Sequence, residues 1–164
     1  MATIVIPFRP NGKQRLAGAG PGIAQAMLVD VLAACEPVAR TVIAGGEGGQ
    51  GAAVQEALVG LKGPVAIVNA DLPCASPAAI RRLAAAGFAL VEAEDGTTNA
   101  LSLPDPSVFA ALYGPGSAAR FRAHAPFASL AIPELAADVD TGDDLERLAP
   151  LLGPRTRVLL AVTA

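Results

Sequence analysis

Two kinds of hydrophobic pattern alternate along this chain. Short, largely apolar runs at residues 2–7 (Ala-Thr-Ile-Val-Ile-Pro) and 64–69 each predict a buried strand, and 39–44 predicts a further short strand. Between them the apolar positions fall at helical spacing. Ile23 to Cys35 predicts a helix with polar Gln25 and Asp30 off its apolar stripe and Pro37 beyond its end. Residues 52–61 predict a second helix after a glycine loop at 45–51, and residues 76–86 a third, with Ser76 as N-cap and Pro77 at the first position. Downstream, 88–93, 99–103 and 129–132 are strand-like, and 117–125 is helical. Residues 136–140 predict an edge or bridging strand. Residues 143–151 predict a helix capped by Thr141, with Asp143 and Asp144 in its first turn. An exposed strand near 158–162 either finishes the sheet or pairs with a partner.

Strands alternating with helices predict the α/β class, with a mostly parallel, twisted sheet flanked by helices. Ligands of such sheets sit outside the carboxyl ends of the strands. Four chemically suggestive segments follow strand ends and are expected to line one crevice: Pro7–Arg15, Gly45–Gly51, Asp71–Pro73 and Thr97–Thr98.

Composition narrows the class. The 164 residues fit a single domain, 1–164. With 52% hydrophobic residues, 4% aromatics and no Trp, its core must be built from Ala, Val, Leu and Ile. Twelve basic against fifteen acidic residues, net charge −3 and no basic tract, argue against nucleic acid as a partner. No apolar run is long enough to span a membrane, and the start lacks a basic n-region, so a soluble, cytoplasmic protein is expected. Cys35 and Cys74 are expected to be small buried hydrophobes. The lone His124 cannot build a His/Cys metal site and is read as part of a solvated helix end.

The candidate chemistry lies in four places. Thr97, Thr98 and Ser117 offer hydroxyls, and Gly96, Gly114 and Gly116 allow backbone N–H groups to approach an anion, so 95–103 and 109–117 together suggest a phosphate pocket. The same residues also suit an ordinary hairpin and a Gly-Pro-Gly turn. Arg9, Lys13 and Arg15 stand in a glycine-containing loop after the first strand, where cations offset charge developing on a leaving pyrophosphate. The spacing does not match a Walker-type loop. Asp71 follows the third strand in Asn-Ala-Asp-Leu-Pro. Asp138 and Asp140 alternate and so share a face if that stretch is a strand. Hard carboxylate oxygens suit Mg²⁺.

These residues, in this order, resemble the MobA-like nucleotidyltransferases, and among them the 2-phospho-L-lactate/phosphoenolpyruvate guanylyltransferases of deazaflavin-coenzyme biosynthesis. The resemblance rests on Ile-Pro-Phe-Arg-Pro…Lys-Gln-Arg-Leu-Ala, Gly-Gly-Gln-Gly-Ala-Ala-Val-Gln, Ala-Asp-Leu-Pro, Gly-Thr-Thr-Asn-Ala-Leu, Phe-x-x-x-Tyr-Gly-Pro-Gly-Ser and Asp-Val-Asp-Thr. It implies a nucleotide-diphospho-sugar-transferase-like, Rossmann-like fold and transfer of GMP from GTP to a phosphorylated carboxylic acid, with pyrophosphate released and a pair of Mg²⁺ ions. By the same resemblance Asp71, Asp138 and Asp140 hold metal, and Lys13, Arg9 and Arg15 act on the triphosphate. Gln50, Gly51, Ala52 and Ala53 then bind the nucleotide, and Thr97, Thr98, Gly114 and Ser117 the acceptor.

Departures from the family pattern include Gln50-Gly51 where Leu-Asn is usual, Asn69 where Pro is frequent, Arg9 where Lys is common, and shortened loops. Two other functions compete. One is a related nucleotidyltransferase with a molybdopterin or sugar-1-phosphate acceptor; the other is a catalytically silent nucleotide-binding module. Small molecules are the expected partners, and both monomer and homodimer remain open.

Overall fold

The computed structural model describes residues 2–10, 14–19 and 22–163. Strand β1 (Thr3–Pro7) leads through a 3-10 turn (Gln14–Ala19) to helix α1 (Ile23–Cys35). Next come β2 (Arg40–Ala44), α2 (Gln50–Ala57), β3 (Val65–Val68) and α3 (Pro77–Ala84), after which β4 (Ala89–Glu92) turns directly into β5 (Thr98–Leu103). The rest comprises α4 (Ser117–His124), the two-residue strand β6 (Ala128–Ser129), α5 (Pro133–Ala136), α6 (Gly142–Leu148) and α7 (Pro154–Thr163), with short 3-10 turns at Pro106–Val108 and Ala149–Leu151.

The strands form one sheet in the order β2-β1-β3-β5-β4-β6. The predicted mostly parallel sheet is present, interrupted by β5, which runs against both β3 and β4. The reason is the brevity of the connection across 93–97. Parallel neighbours need a long crossover, whereas so short a link allows only a hairpin. Reversal has a useful effect: the first residues of β5 arrive at the same sheet edge as the last residues of the parallel strands.

Alternation along β1 sends Ile4 and Ile6 to one face and Val5 to the other. On the first face Leu28 and Val31 of α1 and Ile80 and Leu83 of α3 complete a buried cluster. On the second, Val54 of α2 and Phe121 of α4 pack with Leu90, Leu101 and Leu103. A third cluster joins Leu16, Ile23 and Met27 to Leu145, Leu148 and Leu152, fastening the C-terminal helices beside the start of α1. Burying each such aliphatic side chain contributes roughly 1.5–3 kcal/mol. Capping follows the sequence signals: Ser76 Oγ accepts from the Ala79 amide at 3.2 Å, and Thr141 and Asp144 form a reciprocal capping box on α6.

Three expectations are corrected. Residues 136–140 form no strand: Pro133 starts the single-turn helix α5, Ile132 and Leu135 are buried together, and 137–140 continue irregularly. Residues 158–162 belong to helix α7 rather than a strand. There Val158 and Val162, one helical turn apart, are both exposed, so β-branched composition was a poor guide to conformation. Asp30, although polar and read as off the apolar stripe, is buried, 5% exposed. Its carboxylate accepts from the Arg155 and Thr156 amides at 3.0 and 2.8 Å and from the Thr156 hydroxyl at 2.7 Å. It thus supplies the N-terminal cap of α7 from another helix.

Candidate active site

Strand ends assemble the site. Beyond the carboxyl edge of β1, β2 and β3 lies a pocket of about 160 Å³. Pro7, Phe8 and Arg9 leave β1, Ala44 ends β2, Asn69 and Asp71 follow β3, and Met27 of α1 with Gln50 and Ala53 of α2 close the sides. Apart from Arg9, Gln50, Asn69 and Asp71 these lining side chains are apolar, as an aromatic base demands. Gln50 and Asn69 are bonded to one another, Gln50 Nε2 donating to Asn69 Oδ1 at 2.7 Å, while Asn69 Nδ2 donates to the Thr98 carbonyl at 3.2 Å. Two positions that depart from the family pattern therefore form one unit. Gly51 is required by close approach: a Cβ there would lie 2.7 Å from the Ala111 Cβ.

At the rim of this pocket Asp71, Asp138 and Asp140 each bring a carboxylate oxygen to within 4.8 Å of the others. Asp71 comes from the loop after β3. The other two come from the irregular stretch 137–140, which is held down by the Val139 amide donating to the Asp71 carbonyl at 3.0 Å and by burial of the Val139 side chain. Burial pushes the Asp138 carboxyl up to about 6; the Asn99 hydrogen bond opposes that rise, and the neighbouring Asp71 and Asp140 carboxylates add to it. A divalent cation reverses such crowding. An all-oxygen, carboxylate-rich donor set fits Mg²⁺ or Mn²⁺ and suits softer metals poorly.

A β-bulge between Val91 and Glu92 shifts the register of β4 on β5, pairing Glu92 with Thr98 and Val91 with Ala100. Asn99 is the extra residue. Leu101 and Leu103 face the α4 side and Ala100 the α1 side, so strict alternation would send Asn99 toward α4 and Thr98 away from it. The bulge exchanges them. Thr98, 2% exposed, meets fully buried Ser117 at the start of α4, whose hydroxyl donates to Thr98 Oγ1 at 3.0 Å. Asn99 reaches the opposite face, where Nδ2 donates to the Ala136 carbonyl and to Asp138 Oδ1, both at 3.2 Å.

On the far side of the carboxylates an open cleft of about 610 Å³ is lined by Glu92, Glu94, Asp95, Asp138, Asp140 and Asp144, with Arg147 as its basic member. Arg147 is bonded to Asp144 at 3.0 Å. An anionic substrate meets repulsion here unless cations accompany it.

No family model matches the chain. Individual relatives do. It is 31% identical, over 97% of its length and 95% of the relative's, to a phosphoenolpyruvate guanylyltransferase from Streptomyces scabiei. The chain belongs to the phosphoenolpyruvate/2-phospho-L-lactate guanylyltransferase family. A 2-phospho-L-lactate guanylyltransferase from Methanoregula boonei shares 35% identity over 64% of this chain and 59% of its own. Among solved structures, a protein from Desulfovibrio desulfuricans G20 described as a nucleotide-diphospho-sugar transferase superimposes with a TM-score of 0.70, covering 98% of this chain and 94% of that one at 17% identity. The fold is that of the nucleotide-diphospho-sugar transferases, and the protein is a nucleotidyltransferase.

For a member of the guanylyltransferase family the candidate residues divide unevenly. Arg9, Gln50 and Ala53 line the pocket with Asp71, and Asp138 and Asp140 join Asp71 although no strand carries them. Ala52 is exposed on α2, off the pocket wall. Lys13 lies outside the described residues, and only the backbone of Arg15 is described, within the turn Gln14–Ala19. Thr97, Thr98, Gly114 and Ser117 line neither cavity. Thr97 closes the β4–β5 hairpin, its hydroxyl donating to Asp95 Oδ1 at 2.6 Å; Gly114 turns the chain at φ +112°.

Sequence reasoning missed Arg120. Its guanidinium donates to the carbonyls of Leu112, Tyr113 and Pro115 and clasps the whole 112–116 loop. It also gave no role to Asn69 or Asn99, although both stand beside motif residues. The cysteines take no part: both are buried, and burial pushes the Cys35 thiol up to about 12.

Proposed function

We propose that this enzyme transfers GMP from GTP to a small phosphorylated carboxylic acid, 2-phospho-L-lactate or phosphoenolpyruvate, with release of pyrophosphate, as a step in deazaflavin-coenzyme biosynthesis in the cytoplasm. The observation that supports it best is the Asp71, Asp138 and Asp140 trio standing between an apolar pocket and an open cleft. A two-substrate phosphoryl-group transfer needs that arrangement. The acceptor's phosphate oxygen bonds to the α-phosphorus of GTP as the bond from that phosphorus to the β-phosphate bridging oxygen breaks.

The chain's own residues supply positioning and charge. The apolar wall of Phe8, Met27 and Ala53 receives the base, with the Gln50–Asn69 pair at its polar edge. Arg9 stands at the end of β1, beside Lys13 and Arg15 in sequence, to offset triphosphate charge. Asp71, Asp138 and Asp140 would hold Mg²⁺. Bound there, Mg²⁺ supplies charge neutralisation and alignment of the attacking and leaving oxygens. The acidic cleft supports the same reading, since a phospho-acid enters it only in company with cations. The β4–β5 hairpin borders the acceptor through Asp95 at the cleft wall, and the buried Thr98–Ser117 contact fixes that hairpin to the start of α4.

The test is pyrophosphate release from each of GTP, ATP, CTP and UTP with Mg²⁺ and each acid in turn. Turnover with GTP and a phospho-acid is expected. Turnover only with a sugar 1-phosphate, or with no acceptor at all, would overturn the assignment.

A further inference from the structure

We propose that Asn99 is a positioning residue that holds the Asp138 carboxylate ready for a divalent cation. The inference rests on the reading of Asp71, Asp138 and Asp140 as a metal site. It comes from three observations about one side chain. Asn99 is 2% exposed, so each polar group it carries must find a protein partner. Its Nδ2 donates to Asp138 Oδ1 and to the Ala136 carbonyl at once, both at 3.2 Å. Both partners are acceptors, which sets the amide orientation. And Asn99 reaches them only because it is the extra residue of the bulge, which turns it to the face opposite that given by strand alternation.

Asp138 needs such help because of where it stands. No helix or ladder holds 137–140. The Val139 amide ties the backbone to Asp71 and the Asp138 amide reaches its own carboxylate, but neither anchors the side chain to another element against the adjoining cleft. Asn99 supplies that anchor from β5. It engages one carboxylate oxygen by a donor that carries no charge and leaves the other lone pairs of Asp138 available. Three carboxylates crowded within 4.8 Å repel one another, and a fixed donor on one of them keeps the trio assembled before the cation arrives. Outer partners of this kind typically change metal affinity by about 10–100-fold when removed.

The test measures binding of Mn²⁺ alone to the nucleotide-free protein, by the loss of the free-ion paramagnetic resonance signal. Wild type is compared with Asn99→Leu, nearly isosteric but without a donor, and with Asn99→Ser, which leaves room for a water to reach Asp138. Asn99→Leu is expected to raise the Mn²⁺ dissociation constant at least about 10-fold, and Asn99→Ser less. At saturating Mn²⁺ the pyrophosphate-release rate of both variants is expected to return toward wild type, a recovery that general loss of structure would not give. A folded Asn99→Leu protein binding Mn²⁺ within about 2-fold of wild type overturns the proposal. If that variant does not fold, an unchanged constant in Asn99→Ser overturns it. Wild type that binds no Mn²⁺ overturns the metal reading together with the proposal, whereas wild type that binds with equal variants overturns the proposal alone.

Discussion

The link between Asp30 and α7 makes Gly153 acutely sensitive to a single added methyl group. A Cβ on residue 153 would lie 2.2 Å from the Asp30 Cγ and 2.5 Å from its Oδ1, well inside van der Waals contact. Neither side can yield cheaply. The Gly153 amide donates to the Pro73 carbonyl at 2.7 Å, and the Asp30 carboxylate accepts three hydrogen bonds from Arg155 and Thr156. Relief requires giving up the cap. Loss of an N-cap costs about 0.5–2 kcal/mol, and the fully buried Thr156 hydroxyl left without its acceptor adds about 1–3 kcal/mol. Gly153→Ala should therefore destabilise by roughly 2–4 kcal/mol, and Asp30→Ala by a similar amount.

The two costs share one cause. Once Asp30 is alanine, the added methyl at 153 meets vacated space, so the double variant should be no less stable than Asp30→Ala. The coupling energy would then be about 2 kcal/mol or more, well above the roughly 0.3–0.5 kcal/mol within which independent sites add. Urea unfolding followed by far-ultraviolet circular dichroism on the four proteins measures it. Additive costs, or a Gly153→Ala variant as stable as wild type, would refute the argument that Asp30 is locked.

Asp71→Asn should lower pyrophosphate release by at least about 100-fold at saturating GTP, as removal of a fixed transition-state stabiliser does, while leaving the melting temperature within a few degrees. Retained turnover would remove Asp71 from the machinery. Gly51→Ala sets a Cβ 2.7 Å from that of Ala111 and should cost about 1–3 kcal/mol through overpacking; because Gln50 and Ala53 stand beside it on the pocket wall, the KM for GTP should rise, and an unchanged KM would show that α2 does not set nucleotide affinity. Asp144, despite a burial effect that would raise it, is held down to about 2 by hydrogen bonds from Arg147, the Asp140 and Thr141 amides and the Thr141 hydroxyl. A depressed carboxylate contributes stability fully above the unfolded value near 3.9 and loses it as pH falls toward 2. Comparing wild type with Asp144→Asn across that window should show wild type losing more stability on acidification, and parallel curves would count against the capping box.

What could be read from the sequence was whatever local chemistry decides. The helix Ile23–Cys35, the Ser76 and Thr141 caps and the strand-end position of Asp71 follow from spacing and side-chain type within a few residues. Where distant partners decide, the sequence was silent or misleading. Asp30 was indistinguishable from a solvated aspartate because the amides it caps lie more than a hundred residues away. Val158 and Val162 suggested a strand because their helix is started from outside. Asp138 and Asp140 were placed together for the wrong reason, a strand, when a buried valine and a hairpin asparagine hold them. The Thr-Thr-Asn run did signal chemistry, but which of its side chains faces which half of the crevice depends on a register shift that composition does not reveal.

That register shift makes the site depend on parity. Along a strand, odd and even positions go to opposite sides, so the single surplus residue at 99 decides which of two consecutive side chains serves which compartment. Replacing a letter in this stretch alters one contact, whereas removing residue 99 restores strict alternation: Thr98 keeps its side beside Ser117, and no side chain from this stretch is left to reach Asp138. Chain length across 97–100 is thus a functional property in its own right, in contrast to the glycine-rich approach to α2, where an added residue changes only the span of a loop.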